Sequence, residues 1–217
     1  MKQKILIIVT GGLIIQEYDE KLGYVPQKNL SAIVDTINTE INMETIELCE
    51  FSTVDSSAID LDLMHSLAKL VQRKVNHDSI KGVVIIAGSD TMEILAYFLH
   101  RCIFSHLKPI VITGAMKHLT ESDFDGKANL TNAIKQVANP EAIIHGYGVT
   151  INFAGKIHSP IHVTKDHSFA VDPFTSGNYG LIGLFAKNTF IVHYWNYTSK
   201  CCCYCFSHLY CNVVVFF

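Results

Sequence analysis

The chain has 217 residues, 49% of them hydrophobic and 17% charged, with a formal net charge of −3. That length and apolar content suit one packed α/β-sized domain, or one domain plus a fragment of a second, and exclude a disordered chain. The slight negative charge and the lack of any basic run remove the electrostatic case for nucleic acid or anionic lipid, leaving a small molecule as the expected partner.

The chain opens on KILIIVTGGLIIQE, Lys4 to Glu17, in which Ile5–Val9 predicts a first strand. The apolar run before Thr10-Gly11-Gly12 is shorter than the roughly 7–15 residues of a secretory h-region. No segment reaches the roughly 20 apolar residues of a membrane span. The expectation is therefore a cytoplasmic protein that does not engage a membrane. Further β-branched runs at Val83–Ile86 and Ile110–Thr113, and a weaker one at Thr45–Phe51, predict more strands. Between them lie helical patterns. In 60–76, Leu63, Met64, Leu67, Leu70, Val71 and Val75 fall on one face; a second helix starts near Thr91 and a third covers about 127–138. This alternation predicts an α/β fold: a doubly wound, mostly parallel sheet with helices on both faces.

Such sheets bind ligands beyond the C-terminal ends of their strands. Thr10-Gly11-Gly12, Asp55-Ser56-Ser57, Gly88-Ser89-Asp90 and Gly114-Ala115-Met116 should therefore surround one mouth. Each turn alone says little, because βα connections commonly use Gly, Ser or Asp for backbone geometry and helix caps.

The composition changes after Gly183. Residues 186–217 hold the only Trp and five of the seven Cys, with no Gly, Pro, Asp or Glu. This tail is expected to form no domain, and its composition fits out-of-frame translation better than a functional Cys-rich segment. CCCYC, at 201–205, lacks the paired spacing that brings four thiolates to one zinc, so no metal site is expected. The histidines, among them His65, His100, His118, His145 and His158, form no metal-spaced pair and are read as surface or structural. Asn196-Tyr197-Thr198 matches a glycosylation acceptor but has no meaning in a cytoplasmic chain.

TGGLI (10–14), GYVP (23–26), DSS (55–57), GSDTME (88–93), ITGAMK (112–117), DFDGKANLTNAI (123–134), HVTKDHS (162–168) and NYG (178–180) follow in one order. As a set they resemble the N-terminal domain of the bacterial-type L-asparaginases over about residues 4–185. The resemblance implies domain boundaries at 1–185, with the family's smaller C-terminal α/β domain missing and 186–217 an aberrant tail. It also implies assembly as a homodimer or tetramer. The implied reaction is hydrolysis of L-asparagine, and in some members L-glutamine, through an acyl-enzyme, without metal or organic cofactor.

Amide hydrolysis of this kind needs a hydroxyl nucleophile, a proton acceptor and donors for the developing oxyanion. The family nucleophile is the last threonine of T-G-G-T, and Leu13 stands at that position. An isobutyl group cannot attack a carbonyl. Tyr24 matches the lid tyrosine that bonds the nucleophile, although a tyrosine in a hairpin turn needs no such role. Ser89, Asp90 and Lys165 match the second catalytic group, a hydroxyl, a carboxylate and a lysine in one hydrogen-bonded chain. Asp90-Thr91-Met92-Glu93 also has capping-box spacing with Asp90 as N-cap, and both roles are compatible. Ser56 and Ser57 match contacts to the substrate's α-carboxylate, and Asp90 its contact to the α-amino group; Ser57 is equally readable as a helix cap. Ala87 stands where the family usually has histidine.

Thr10 is expected to satisfy the backbone of the turn rather than replace the nucleophile. Family activity impaired by Leu13 and truncation is the primary expectation. The alternatives are a catalytically dead amino-acid-binding module and a non-functional truncated product.

Overall fold

The computed structural model describes residues 3–21, 23–26, 46–54, 58–103, 108–139, 148–186 and 189–192. Asp55, Ser56, Ser57, His145 and the tail from residue 193 onward lie outside the described residues.

Five strands form the parallel part of the sheet: β1 (Lys4–Gly11), β4 (Ile46–Val54), β5 (Ile80–Ile86), β6 (Ile110–Thr113) and β7 (Val149–Phe153). Their spatial order is β4-β1-β5-β6-β7. Beyond β7 the sheet continues antiparallel through β8 (Lys156–His158), β11 (Gly183–Ala186) and β12 (Thr189–Val192). The antiparallel edge was not expected, because its strands are too short to leave a clear period. A hairpin of β2 (Gln16–Asp19) and β3 (Gly23–Pro26) and a ribbon of β9 (Thr164–Lys165) and β10 (Phe174–Thr175) stand apart from this sheet.

The three predicted helices are α1 (Leu61–Val75), α2 (Met92–Cys102) and α3 (Gly126–Ala138). Asp60 caps α1 by accepting from the Leu63 N–H at 2.8 Å, with Arg73 and Lys74 in the last turn where the helix dipole favours cations. Alternate residues of each central strand enter opposite cores. Leu6, Ile8, Val83 and Ile85 pack with α1 and α2, while Ile5, Ile7, Val84 and Ile86 pack with α3. Burial on both faces is why these strands read as unbroken apolar runs.

Candidate functional site

The turn after β1 is shaped by contact with its neighbours. Gly11 and Gly12 have φ of +133° and +95°, and a Cβ on Gly12 would lie 2.7 Å from the Gly88 backbone. Only glycine allows this approach, which seats the first turn against the β5–α2 turn. Thr10, 1% exposed, donates its hydroxyl to the Ile86 carbonyl at 2.8 Å. Its own carbonyl accepts from the Ser52 hydroxyl at 2.7 Å. Thr10 thus ties three neighbouring strands together and turns its hydroxyl into the sheet. Leu13 begins a short 3-10 turn whose Ile14 and Ile15 are buried, and it remains half-buried along a cavity of about 590 Å3.

Ser89, Asp90 and Lys165 line that same cavity. The Lys165 ammonium donates to the Ser89 hydroxyl at 2.8 Å and to the Asp90 carboxylate at 2.6 Å, across 76 and 75 residues of chain. Ser89 is buried and the Lys165 side chain is 12% exposed, whereas the Asp90 side chain is 71% exposed. The amine and hydroxyl therefore sit inside the mouth, with the carboxylate facing outward.

The capping-box expectation needs correction. The N-cap of α2 is Thr91, without a side-chain cap bond, and Asp90 is engaged by the lysine. Glu93 reaches across the chain, and its carboxylate accepts from the backbone N–H of Lys165. An ammonium is a stronger partner for Asp90 than a helix N–H would be, since both of its groups are charged.

Tyr24, on β3, stacks on His118 with centroids 3.5 Å apart and planes 11° from parallel, while Tyr18 meets it edge-on at 5.4 Å. His118 lines the cavity, so the hairpin reaches the rim through this stack. Ser56 and Ser57 lie outside the described residues.

The DGKAN motif has a clear structural role that sequence reasoning missed. Asp125 accepts from the Met116 and Lys117 N–H groups at 3.0 Å and from the Asn129 amide at 3.0 Å. Asn129 also donates to the Gly114 carbonyl at 3.0 Å and accepts from the Ala154 N–H at 2.9 Å. The 114–118 wall is thereby hung from α3. Farther out, Lys117 pairs with Asp123 at 3.3 Å and Glu121 at 3.4 Å. The hydrogen bond from the His118 N–H, and then Lys117, hold the Glu121 carboxyl below its ordinary value. Among the described residues, no group of three His, Cys, Asp or Glu could hold a metal ion, and no helix is long and apolar enough to cross a membrane.

Residues 4–198 match the family model described as "Asparaginase, N-terminal". The chain is 30% identical to L-asparaginase 2 of Bacillus subtilis over 86% of its own length and 50% of that protein's. It is also 30% identical to a probable periplasmic L-asparaginase of Haemophilus influenzae, over 82% of this chain and 51% of that one. Among solved structures, the probable cytoplasmic L-asparaginase from Campylobacter jejuni superposes with a TM-score of 0.81 at 32% identity, covering 89% of this chain and 59% of that one. The chain thus spans about half the length of the curated relatives it matches.

Proposed function

The chain belongs to the asparaginase family, through its N-terminal domain, and from that membership we propose that its cavity takes a free amino acid bearing a side-chain amide. L-asparagine is the first substrate and L-glutamine the second, hydrolysed to the acid and ammonia. The observation that carries this reading is the Lys165–Ser89–Asp90 chain facing the cavity. A hydroxyl held against a lysine in its neutral amine form can pass its proton to that amine as it attacks a carbonyl, and the same proton can then leave with ammonia. Water completes the cycle by hydrolysing the acyl-enzyme, and no step calls for a metal or organic cofactor. Asp90, exposed at the mouth, would pair with the substrate's α-ammonium, with Ser56 and Ser57 on its α-carboxylate.

Leu13 removes the first nucleophile from this scheme. Ser89 is then the hydroxyl that remains held against an amine at the cavity, and turnover is correspondingly slow. Losing an essential nucleophile costs about four to six orders of magnitude, because the surviving groups only bind and polarise. The second half of the relatives' length, and a homodimer or tetramer that would bring such a domain over the mouth, belong to the same proposal. So does a cytoplasmic setting, which the Campylobacter relative's description supports and the Haemophilus one does not.

Ammonia release from asparagine by the native chain, Leu13→Thr and Ser89→Ala tests the reading, beside calorimetric titration with L-aspartate. The expected result is saturable aspartate binding, near-background turnover in the native chain, and little gain from Leu13→Thr alone. Robust native turnover abolished by Ser89→Ala would make Ser89 the nucleophile and refute the impairment. Absence of aspartate binding would remove the site altogether.

A further inference from the structure

We infer that Glu93 is a positioning residue for Lys165, a role that rests on the proposed function of Lys165. Lys165 lies on a two-residue strand that pairs with β10 alone, outside the eight-stranded sheet among the described residues. The ribbon is closed locally by the Asp166 N–H on the Pro173 carbonyl at 2.7 Å. A ribbon that small is marginal by itself. Its amine must nevertheless hold two bonds at once, to Ser89 and Asp90 on the β5–α2 turn.

Glu93 supplies the missing reference point. It stands in the first turn of α2, three residues past Asp90, and its carboxylate accepts from the Lys165 backbone N–H. The same helix start therefore carries both partners of the ammonium and the anchor of its backbone. With the backbone and the targets fixed to one rigid element, the lysine side chain spans a set distance, and its ammonium stays on the hydroxyl without a search through rotamers. Val163 and Phe174 bury the ribbon's apolar side in the α1–α2 core, and just past β10 the Ser176 hydroxyl bonds the buried His158 ring. The charge-assisted bond to Glu93 ties the Lys165 backbone itself to α2.

The test is NMR on the whole chain, following the Lys165 backbone amide and its side-chain ammonium in native protein, Glu93→Ala and Glu93→Gln. Retained protection of the Leu95 and Leu99 amides verifies that α2 is intact. In Glu93→Ala the Lys165 amide is expected to exchange about 10- to 100-fold faster, the equivalent of one hydrogen bond to a charged group. The ammonium resonance should broaden as its bonds to Ser89 and Asp90 become transient. Glu93→Gln, whose amide oxygen still accepts, should return both signals most of the way. Faster amide exchange with an unchanged ammonium would show a plain structural staple and overturn the inference, as would no change in either. Titrating L-aspartate into the native chain separates this from the functional reading. An ammonium resonance indifferent to aspartate refutes that reading, while the exchange data still decide what Glu93 holds.

Discussion

Positions 10 and 13 lie three residues apart on one turn, and each does what its residue type predicts. The hydroxyl is inside, bonded to the Ile86 carbonyl, and the isobutyl group faces the cavity. Removing the Thr10 hydroxyl deletes a buried hydrogen bond to the Ile86 carbonyl, which costs about 1 kcal/mol. Thr10→Val should therefore lower the urea midpoint by that equivalent and leave aspartate affinity within about twofold, with Thr10→Ser restoring stability. A variant of full stability and lost affinity would place Thr10 in the site instead. At this scale the sequence was readable where chemistry is absolute and misleading where it is local. Leucine cannot be a nucleophile in any fold. Asp90-x-x-Glu93 had capping-box spacing, yet both carboxylates went to a lysine more than 70 residues away. No local pattern contains that partner.

Helices were the most legible elements. Met92, Leu95, Ala96 and Leu99 recur at helical spacing, and all four are fully buried. The ribbon and the antiparallel edge were not legible, because strands of two to four residues carry too few periods to separate from turns. The α3 motif was legible as a helix but not as a strut. Asn129 is 2% exposed, and its amide is shared among Gly114, Asp125 and Ala154. Asn129→Ala orphans a buried carbonyl and a part-buried N–H together, so a loss of about 2–4 kcal/mol is expected. Asn129→Asp should be no better. It keeps the acceptor for Ala154 but loses both donated bonds and sets a second carboxylate against Asp125. Thermal melts of both variants check this. An Asp variant as stable as native would mean that the Ala154 bond alone carries the strut.

For the molecule as a whole, the mostly parallel sheet followed from alternation of strand and helix, and the position of the mouth from the strand ends. What alternation could not reveal is that the sheet runs on past β7 and encloses a histidine. His158, on β8, is 0% exposed; its Nδ1 pairs with the Ser176 hydroxyl at 2.9 Å, and its Nε2 has no partner among the described residues. Burial, reinforced by the Lys156 ammonium and opposed by the Asp172 carboxylate, pushes its pKa down from 6.5 to about 4. In the folded chain the ring is neutral across most of the acidic range, whereas the unfolded chain protonates it below about 6.5. The unfolded state thus binds the extra proton, and stability falls as pH drops from about 6.5 to about 4. The full loss is about 3 kcal/mol, and above 6.5 the group contributes no pH dependence. Glu47, whose carboxyl is held down by its hydrogen bond from Lys74, acts at the acid end of that window. Its stabilising contribution is present above its ordinary value of 4.5 and is lost below it. Urea midpoints of native chain and His158→Gln, measured between pH 7.5 and 5, therefore isolate the histidine. The native chain should weaken steadily below pH 6.5, and the glutamine variant, less stable at pH 7.5, should hold nearly level. Equal slopes in the two would mean that the ring takes up its proton in the folded state, through a water or a shift of Asp172 toward Nε2.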